Sequence, residues 1–168
     1  MSVTEHRHVA PTSVNCFVVT ISDSRTEETD QSGGMMKQLL MKANHRVNGY
    51  KIIKDDVNMI KQTMIELVRR DDIDVILMNG GTGIAKRDVS YEAVNELLEK
   101  EMTGFGELFR YLSYEEIGPA AMLSRAIAGV YENRAIFLVP GSTGAVRLAM
   151  EKLILPEIGH VVRELKKV

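Results

Sequence analysis

Apolar residues along this 168-residue chain fall into two kinds of run. Short blocks such as VNCFVVTI (14–21), RVNGYKII (46–53), DVILMN (74–79) and RAIFLVP (134–140) read as strands, the first short enough to be buried on both faces. Between them the spacing changes to threes and fours. Met35, Met36, Leu39, Leu40 and Ala43 mark one helix, with the methionines as core filler. Ile60, Met64, Leu67 and Val68 share a face of a second helix, Val57 to Arg70. SYEAVNELLEK is expected to be helical with Ser90 as its cap, and Pro119 to Val130 to contain a further helix. The glycines of MTGFGELF should interrupt regular structure, and a long helix from about Ala145 to Lys167 should break or kink at Pro156. Alternating strands and helices predict a three-layer α/β/α sandwich with a largely parallel sheet. Residues 1–13 read as a flexible polar arm and 14–168 as one α/β domain, with no internal repeat or linker.

Composition narrows the classes. With 45% hydrophobic and 26% charged residues the chain is an ordinary globular one, and a formal net charge of −2 argues against a nucleic-acid partner. The pairs Arg69-Arg70 and Lys166-Lys167 read as solvated helix ends. No stretch offers 18 uninterrupted apolar residues, and the N-terminus lacks a signal peptide's apolar run, so a cytoplasmic protein without membrane contact is expected. Cys16, the single cysteine, reads as a buried structural thiol.

The candidate chemistry lies at strand ends. Gly80-Gly81-Thr82-Gly83 directly follows VILMN. Glycine lets the main chain approach a ligand, and successive amides before a helix can form an anion-binding concavity, although a tight turn without ligand has the same composition. PGSTG (140–144) repeats the theme, either as a ligand loop or as a plain helix cap, and Thr20-Ile21-Ser22-Asp23 ends the first strand. Three such ends suggest one shared crevice for a phosphorylated small molecule. Neither GxxxxGK[ST] nor GxGxxG is present, and GxSxG is absent too. Asp55, Asp56 and Asp88 are candidates for holding magnesium beside phosphates. Their alternatives are a helix cap for Asp56, and a cap or an ion pair with Arg87 for Asp88. His6, His8, His45 and His160 fall in no zinc-binding spacing.

The blocks TISDSR (20–25), Asp55-Asp56, GGTGIAKRD (80–88), GFGELFR (104–110), SYEEIG (113–118), LSRAIAG (123–129) and PGSTGA (140–145) occur in that order. Together, over residues 12 to 165, they resemble the family of molybdenum cofactor biosynthesis protein B and molybdopterin adenylyltransferase. The resemblance implies a molybdopterin-binding domain-like fold and a homotrimer or homohexamer that works with other proteins of the pathway. In the adenylyltransferase branch, Mg-ATP is used to attach AMP to the molybdopterin phosphate, releasing pyrophosphate. It also implies Asp55 as the metal-linked acid and Asp88 as the second catalytic acid. Gly80, Gly81, Thr82 and Gly83 would hold pterin or phosphate. Ser22, Asp23, Ser124, Pro140, Gly141 and Ser142 would frame the ligand sites. The flanks depart from the family pattern: Met78-Asn79 precede the glycines, Ser90-Tyr91 follow the Arg-Asp pair, and Thr103 stands where the later block has proline. A non-catalytic pterin-binding or carrier protein of the same pathway is the alternative, and an oligomeric scaffold a third reading.

Overall fold

The computed structural model describes residues 2–168. Its centre is a six-stranded sheet made of β1 (Asn15–Ile21), β2 (Arg46–Ile53), β3 (Val75–Asn79), β4 (Lys100–Glu101), β5 (Ile127–Tyr131) and β6 (Arg134–Val139). The spatial order is β2-β1-β3-β6-β5-β4. β2, β1, β3 and β6 run parallel, while β5 is antiparallel to both β6 and β4. The helices are α1 (Val3–His8), α2 (Gln31–Lys42), α3 (Val57–Leu67), α4 (Ser90–Leu97), α5 (Thr103–Ile117), α6 (Thr143–Ala149) and α7 (Leu155–Leu165).

Strand periodicity creates two cores. Cys16, Val18, Val75, Leu77, Ala135 and Phe137 point to the side where Met36 and Leu40 of α2, Phe105 and Phe109 of α5, and α6 and α7 pack. Their alternating neighbours Phe17, Val19, Ile76, Met78, Ile136 and Leu138 face Ile60, Met64 and Leu67 of α3 and Ala93 and Val94 of α4. A sheet whose residues are buried on both faces needs cover on both, and the result is the expected three-layer sandwich. Burial pushes the Cys16 thiol up to about 12, as expected of an inert core cysteine.

Several local expectations are corrected. The segment read as a flexible arm contains α1, closed by a capping box between Ser2 and Glu5. It packs on α7 through an ion pair of Arg7 with Glu157 and a contact of His6 Nδ1 with Glu164 Oε1 at 3.1 Å. Pro119 to Val130 holds only a 3-10 helix, Gly118–Leu123; the β-branched stretch after it is β5. β5 returns as β6 through Glu132 and Asn133 alone, both at positive φ, the backbone of a tight two-residue hairpin. α5 runs uninterrupted through Gly104 and Gly106; at Gly106 a Cβ would lie 2.9 Å from the Ala126 carbonyl, which accounts for the glycine there. α4 has Val89 at its cap position with no side-chain cap; the Ser90 hydroxyl is used elsewhere. The final helix does not break at Pro156; its irregularity is a π-helical turn just before, Met150–Ile154, which places Pro156 in the first turn of α7, where proline is tolerated.

Phe109 is almost wholly buried and stacks on Phe105, which meets Phe137 edge to face at 5.2 Å. Phe109→Ala is expected to lower unfolding free energy by about 3–5 kcal/mol in urea denaturation.

Candidate functional site

The carboxyl ends of β1, β3 and β6 lie side by side and level, with Thr20 opposite Asn79 and Asn79 opposite Val139. From β1 the chain crosses to β2 on one side and then to β3 on the other, so the order reverses at this point. Loops leaving such neighbours in opposite directions leave a crevice between them. A cleft of about 480 Å³ opens there. Ser22, Gly80, Gly81, Thr82, Gly83, Asp88, Ser124, Pro140 and Gly141 line it, together with Ile21, Ser24, Arg25 and Leu123.

The glycine turn is shaped by contact on both sides. Gly80 (φ +103°) and Gly81 (φ +68°) adopt the left-handed half of backbone space. A Cβ on Gly80 would collide with the Ile21 carbonyl, and one on Gly81 would lie 2.5 Å from the Asp55 carboxylate. The turn is then tied down by side chains. The buried Ser90 hydroxyl donates to the Gly80 carbonyl at 2.6 Å, and the Ser90 amide donates to the Gly81 carbonyl at 3.1 Å. Arg125 donates from Nε to the Thr82 carbonyl (2.8 Å) and from Nη2 to the Gly83 carbonyl (2.9 Å). Its guanidinium also pairs with Glu92 and lies over the Tyr91 ring, 4.8 Å from the centroid. Ser90 and Arg125, neither of which lines the cleft, thus brace the turn.

Beneath the loops lies a closed polar network. Arg25 donates to the Gly141 carbonyl (2.9 Å) and to the Ser32 hydroxyl (2.6 Å), linking the β1 and β6 loops. Ser32 donates onward to Asn79 (3.0 Å), whose amide donates to Thr20 (3.0 Å). Asp30 accepts from the Gly33 amide at the head of α2 (3.0 Å) and from the Tyr50 hydroxyl. Burial by itself would push the Asp30 carboxyl up; hydrogen bonds from Thr20, Tyr50 and Gly33, with Arg25 nearby, outweigh it and hold the group below its usual range.

The acids separate into different roles. Asp56 caps α3, accepting from the Met59 amide at 2.8 Å. Asp55 turns instead toward the glycine loop and accepts from the Val89 amide at 3.2 Å. Desolvation first, then the charges of Asp88 and Asp23, hold its carboxyl above the ordinary range. Asp88 lines the cleft beside Gly83; Arg87 is paired with Asp23 instead, and no side chain caps α4. Asp23 stands behind the cleft wall, accepting from the Asp55 amide at 3.0 Å. That bond, with Arg87, keeps its carboxyl low. Ser142 does not line the cleft. Its hydroxyl caps α6 by accepting from the Ala145 amide at 3.2 Å. Sequence reading missed Ser24, Arg25, Ser90 and Leu123 as site residues, and placed Arg125 near the pocket only through the family block it shares with Ser124. Both arginines stand inside the quoted blocks TISDSR and LSRAIAG, but only tertiary contacts reveal what they hold.

Fold and site together define a doubly wound α/β domain with a glycine-walled cleft, flanked by Asp88, at the carboxyl ends of its parallel strands. Residues 17–160 match the family described as "Probable molybdopterin binding domain", and the chain belongs to that family. It is 58% identical over 168 residues to a protein of Bacillus cereus named molybdenum cofactor biosynthesis protein B, covering 99% of each chain. Among solved structures, one of a molybdenum cofactor biosynthesis protein B is 58% identical with a TM-score of 0.90, covering 93% of this chain and 98% of that one. The tungsten cofactor synthesizing protein MoaB of Pyrococcus furiosus is 35% identical with a TM-score of 0.83, over 94% and 100% of the two chains.

Two alanine substitutions separate the glycines of the site from those of a helix. Gly80→Ala, strained and in collision with backbone, is expected to lose more than about 2 kcal/mol in chemical denaturation. Gly144→Ala, on the open face of α6, is expected to gain about 0.5–1 kcal/mol.

Proposed function

We propose that this protein acts in the cytoplasm in molybdenum cofactor biosynthesis, binding molybdopterin in the strand-end cleft and adenylylating it with Mg-ATP. The observation that carries the reading is Asp88 on the cleft wall beside Gly83, with Asp55, outside the lining, set against Gly81 of the same turn; membership of a molybdopterin-binding family supports a pterin as the ligand. The glycine wall would admit phosphate oxygens to main-chain amides, with Ser22 and Ser124 adding hydroxyls. In the reaction, an oxygen of the pterin phosphate attacks the α-phosphorus of ATP, and the bond to the β-phosphate oxygen breaks to release pyrophosphate. No strong base is required, since the attacking phosphate is already anionic; the protein's task is placement and charge.

Asp55, supported by Asp88, would hold the magnesium. The fit rests on Asp55's crowding: a carboxylate desolvated and repelled by two acidic neighbours gains from a divalent cation what it lacks in the free protein. Bound there, the ion would supply charge neutralisation at the phosphates. Arg25 and Arg125 would keep the loops in place, because both spend their donors on loop carbonyls.

The alternative is a pterin-binding or carrier protein without catalysis. It draws support from Asp55, which is not among the residues lining the cleft. For assembly, the proposed homotrimer or homohexamer would use the outer face of α5 and the 3-10 helix after it. Leu108, Tyr111, Tyr114, Ile117 and Met122 are all exposed there.

Pyrophosphate release from ATP, magnesium and purified molybdopterin tests the activity. Asp88→Ala and Asp55→Asn should each lower it by about 100-fold or more. Asp55→Asn should do so without lowering Tm at pH 7, since it removes a charge the folded state disfavours. Tight pterin binding with no pyrophosphate from the parent chain would establish the carrier reading instead. Tyr114→Glu combined with Leu108→Glu should convert the oligomer to monomers, read as molar mass by light scattering.

A further inference from the structure

Far along the chain from the strand-end loops, α1 and α7 bring together three groups that the proposed chemistry leaves unused. Among the described residues, His6, His160 and Glu164 form the one set of three potential metal ligands whose donor atoms all lie within 4.8 Å of one another. His6 Nδ1 is 3.1 Å from Glu164 Oε1, and His160 Nε2 is 3.6 Å from the same oxygen. Tetrahedral zinc bonded at 2.0–2.2 Å spaces its ligand atoms by about 3.3–3.6 Å. Glu164 Oε1 therefore stands from both imidazoles at nearly the separation such an ion imposes, and the ring nitrogens lie within 4.8 Å of each other. The two imidazole rings meet edge to face, 5.4 Å apart, and all three side chains are no more than half exposed.

The hydrogen bonding at this spot is in conflict, and a cation resolves it. His6 Nδ1 lies 3.1 Å from Glu164 Oε1 and 2.9 Å from Arg163 Nη1. One ring nitrogen can donate to the carboxylate or accept from the guanidinium, never both. Arginine only donates, so accepting from it leaves a neutral His6 with a lone pair facing a carboxylate oxygen. A second conflict has the same form. His160 Nδ1 is 2.9 Å from Glu157 Oε2, which draws the ring proton to Nδ1 and turns the Nε2 lone pair toward Glu164. Lys167 already supplies one positive charge to Glu164 Oε1 at 2.6 Å, and Arg163 lies 3.6 Å from it. Both are donors only, and they would turn away from an ion that takes the lone pairs of His6, His160 and Glu164.

We propose that His6, His160 and Glu164 bind a zinc ion that fastens α1 to α7. Glu157 orients His160 as a carboxylate commonly orients a metal-bound imidazole, and His160 and Glu164 share one helix face by their four-residue spacing. A hollow of about 350 Å³ beside His160 and Glu164, walled by Met102, Val130 and Leu165, leaves space for a water as fourth ligand. The role is structural: the ion joins residues 154 positions apart and holds a six-residue helix that is too short to persist alone.

The probe is CoCl2 titrated into the metal-free full chain, followed by ZnCl2. Visible d–d absorption of four-coordinate cobalt should rise to saturation at one equivalent per chain and be bleached by one equivalent of zinc. His160→Ala and His6→Gln should each abolish it, the second while keeping a polar side chain for α1 to dock with. Glu157→Gln should keep the band and weaken affinity about 10- to 100-fold. The doubly substituted Asp55→Asn, Asp88→Asn chain should bind cobalt like the parent, which separates this site from the magnesium proposal. Absence of a saturable band in the parent overturns the inference. So does a band that survives His160→Ala, or one lost with Asp55 and Asp88.

Discussion

The cleft depends on how closely three pieces of backbone approach one another where β1, β3 and β6 end. Gly80 lies against the Ile21 carbonyl, and its Cα is 3.2 Å from where a Cβ on Gly141 would be. Side chains at these positions would wedge the loops apart, and the cleft would either fill or lose its shape. Because the strands are parallel and in register, the approach occurs at one level, and every loop leaving it inherits the same floor. The conformational freedom that glycine surrenders there is the cost of exposing main-chain amides at a ligand's distance.

Such a meeting point needs support from below, and a buried polar network supplies it. Thr20, Asp30, Ser32 and Asn79 are almost wholly buried, which would be destabilising were they not bonded to one another and to Arg25 and Tyr50. The network carries direction as well as stability. Arg25 is held by Ser32 and Asp30 on one side and holds the Gly141 carbonyl on the other, so α2 fixes the β6 loop. Arg125 does the corresponding work for the glycine turn from the opposite wall. The loops around the cleft are thus held by two arginines that bond to carbonyls, with two aspartates close to the glycines.

Elements and residues were not equally legible from the sequence. β2 begins and ends where its run predicted although it is an edge strand only partly buried, and β1, β3 and β6 fall within a residue of their expected limits, because burial on both faces demands continuous apolar runs. β5 was hidden behind a helical reading of 119–130. A strand at the antiparallel margin, with small residues Ala128 and Gly129, carries little periodic signal, and its hairpin turn uses Glu-Asn in place of a glycine pair. The glycines of α5 argued against a helix on propensity alone, yet packing of Phe105 and Phe109 into the core outweighs about 1 kcal/mol per glycine.

At the cleft, the types of residue followed from the sequence and their duties did not. GGTG after a strand, PGS after another and the acids near both were enough to name the crevice, because left-handed backbone and close approach restrict a turn to glycine wherever it occurs. Which aspartate caps a helix and which faces the turn was settled by the direction the chain takes after β2: Asp56 at the head of α3, Asp55 one residue earlier and rotated toward Gly81. Ser142 became a cap and Ser90 a brace for the same reason, since a hydroxyl bonds whatever the fold brings within 3 Å. His6 and His160 fall in no ligand spacing along the chain, and docking of α1 on α7 alone makes them neighbours. Local composition determines what each segment can tolerate. Long-range packing decides which groups meet, because hydrogen bonds and coordination act over a few ångströms while the partners lie scores of residues apart.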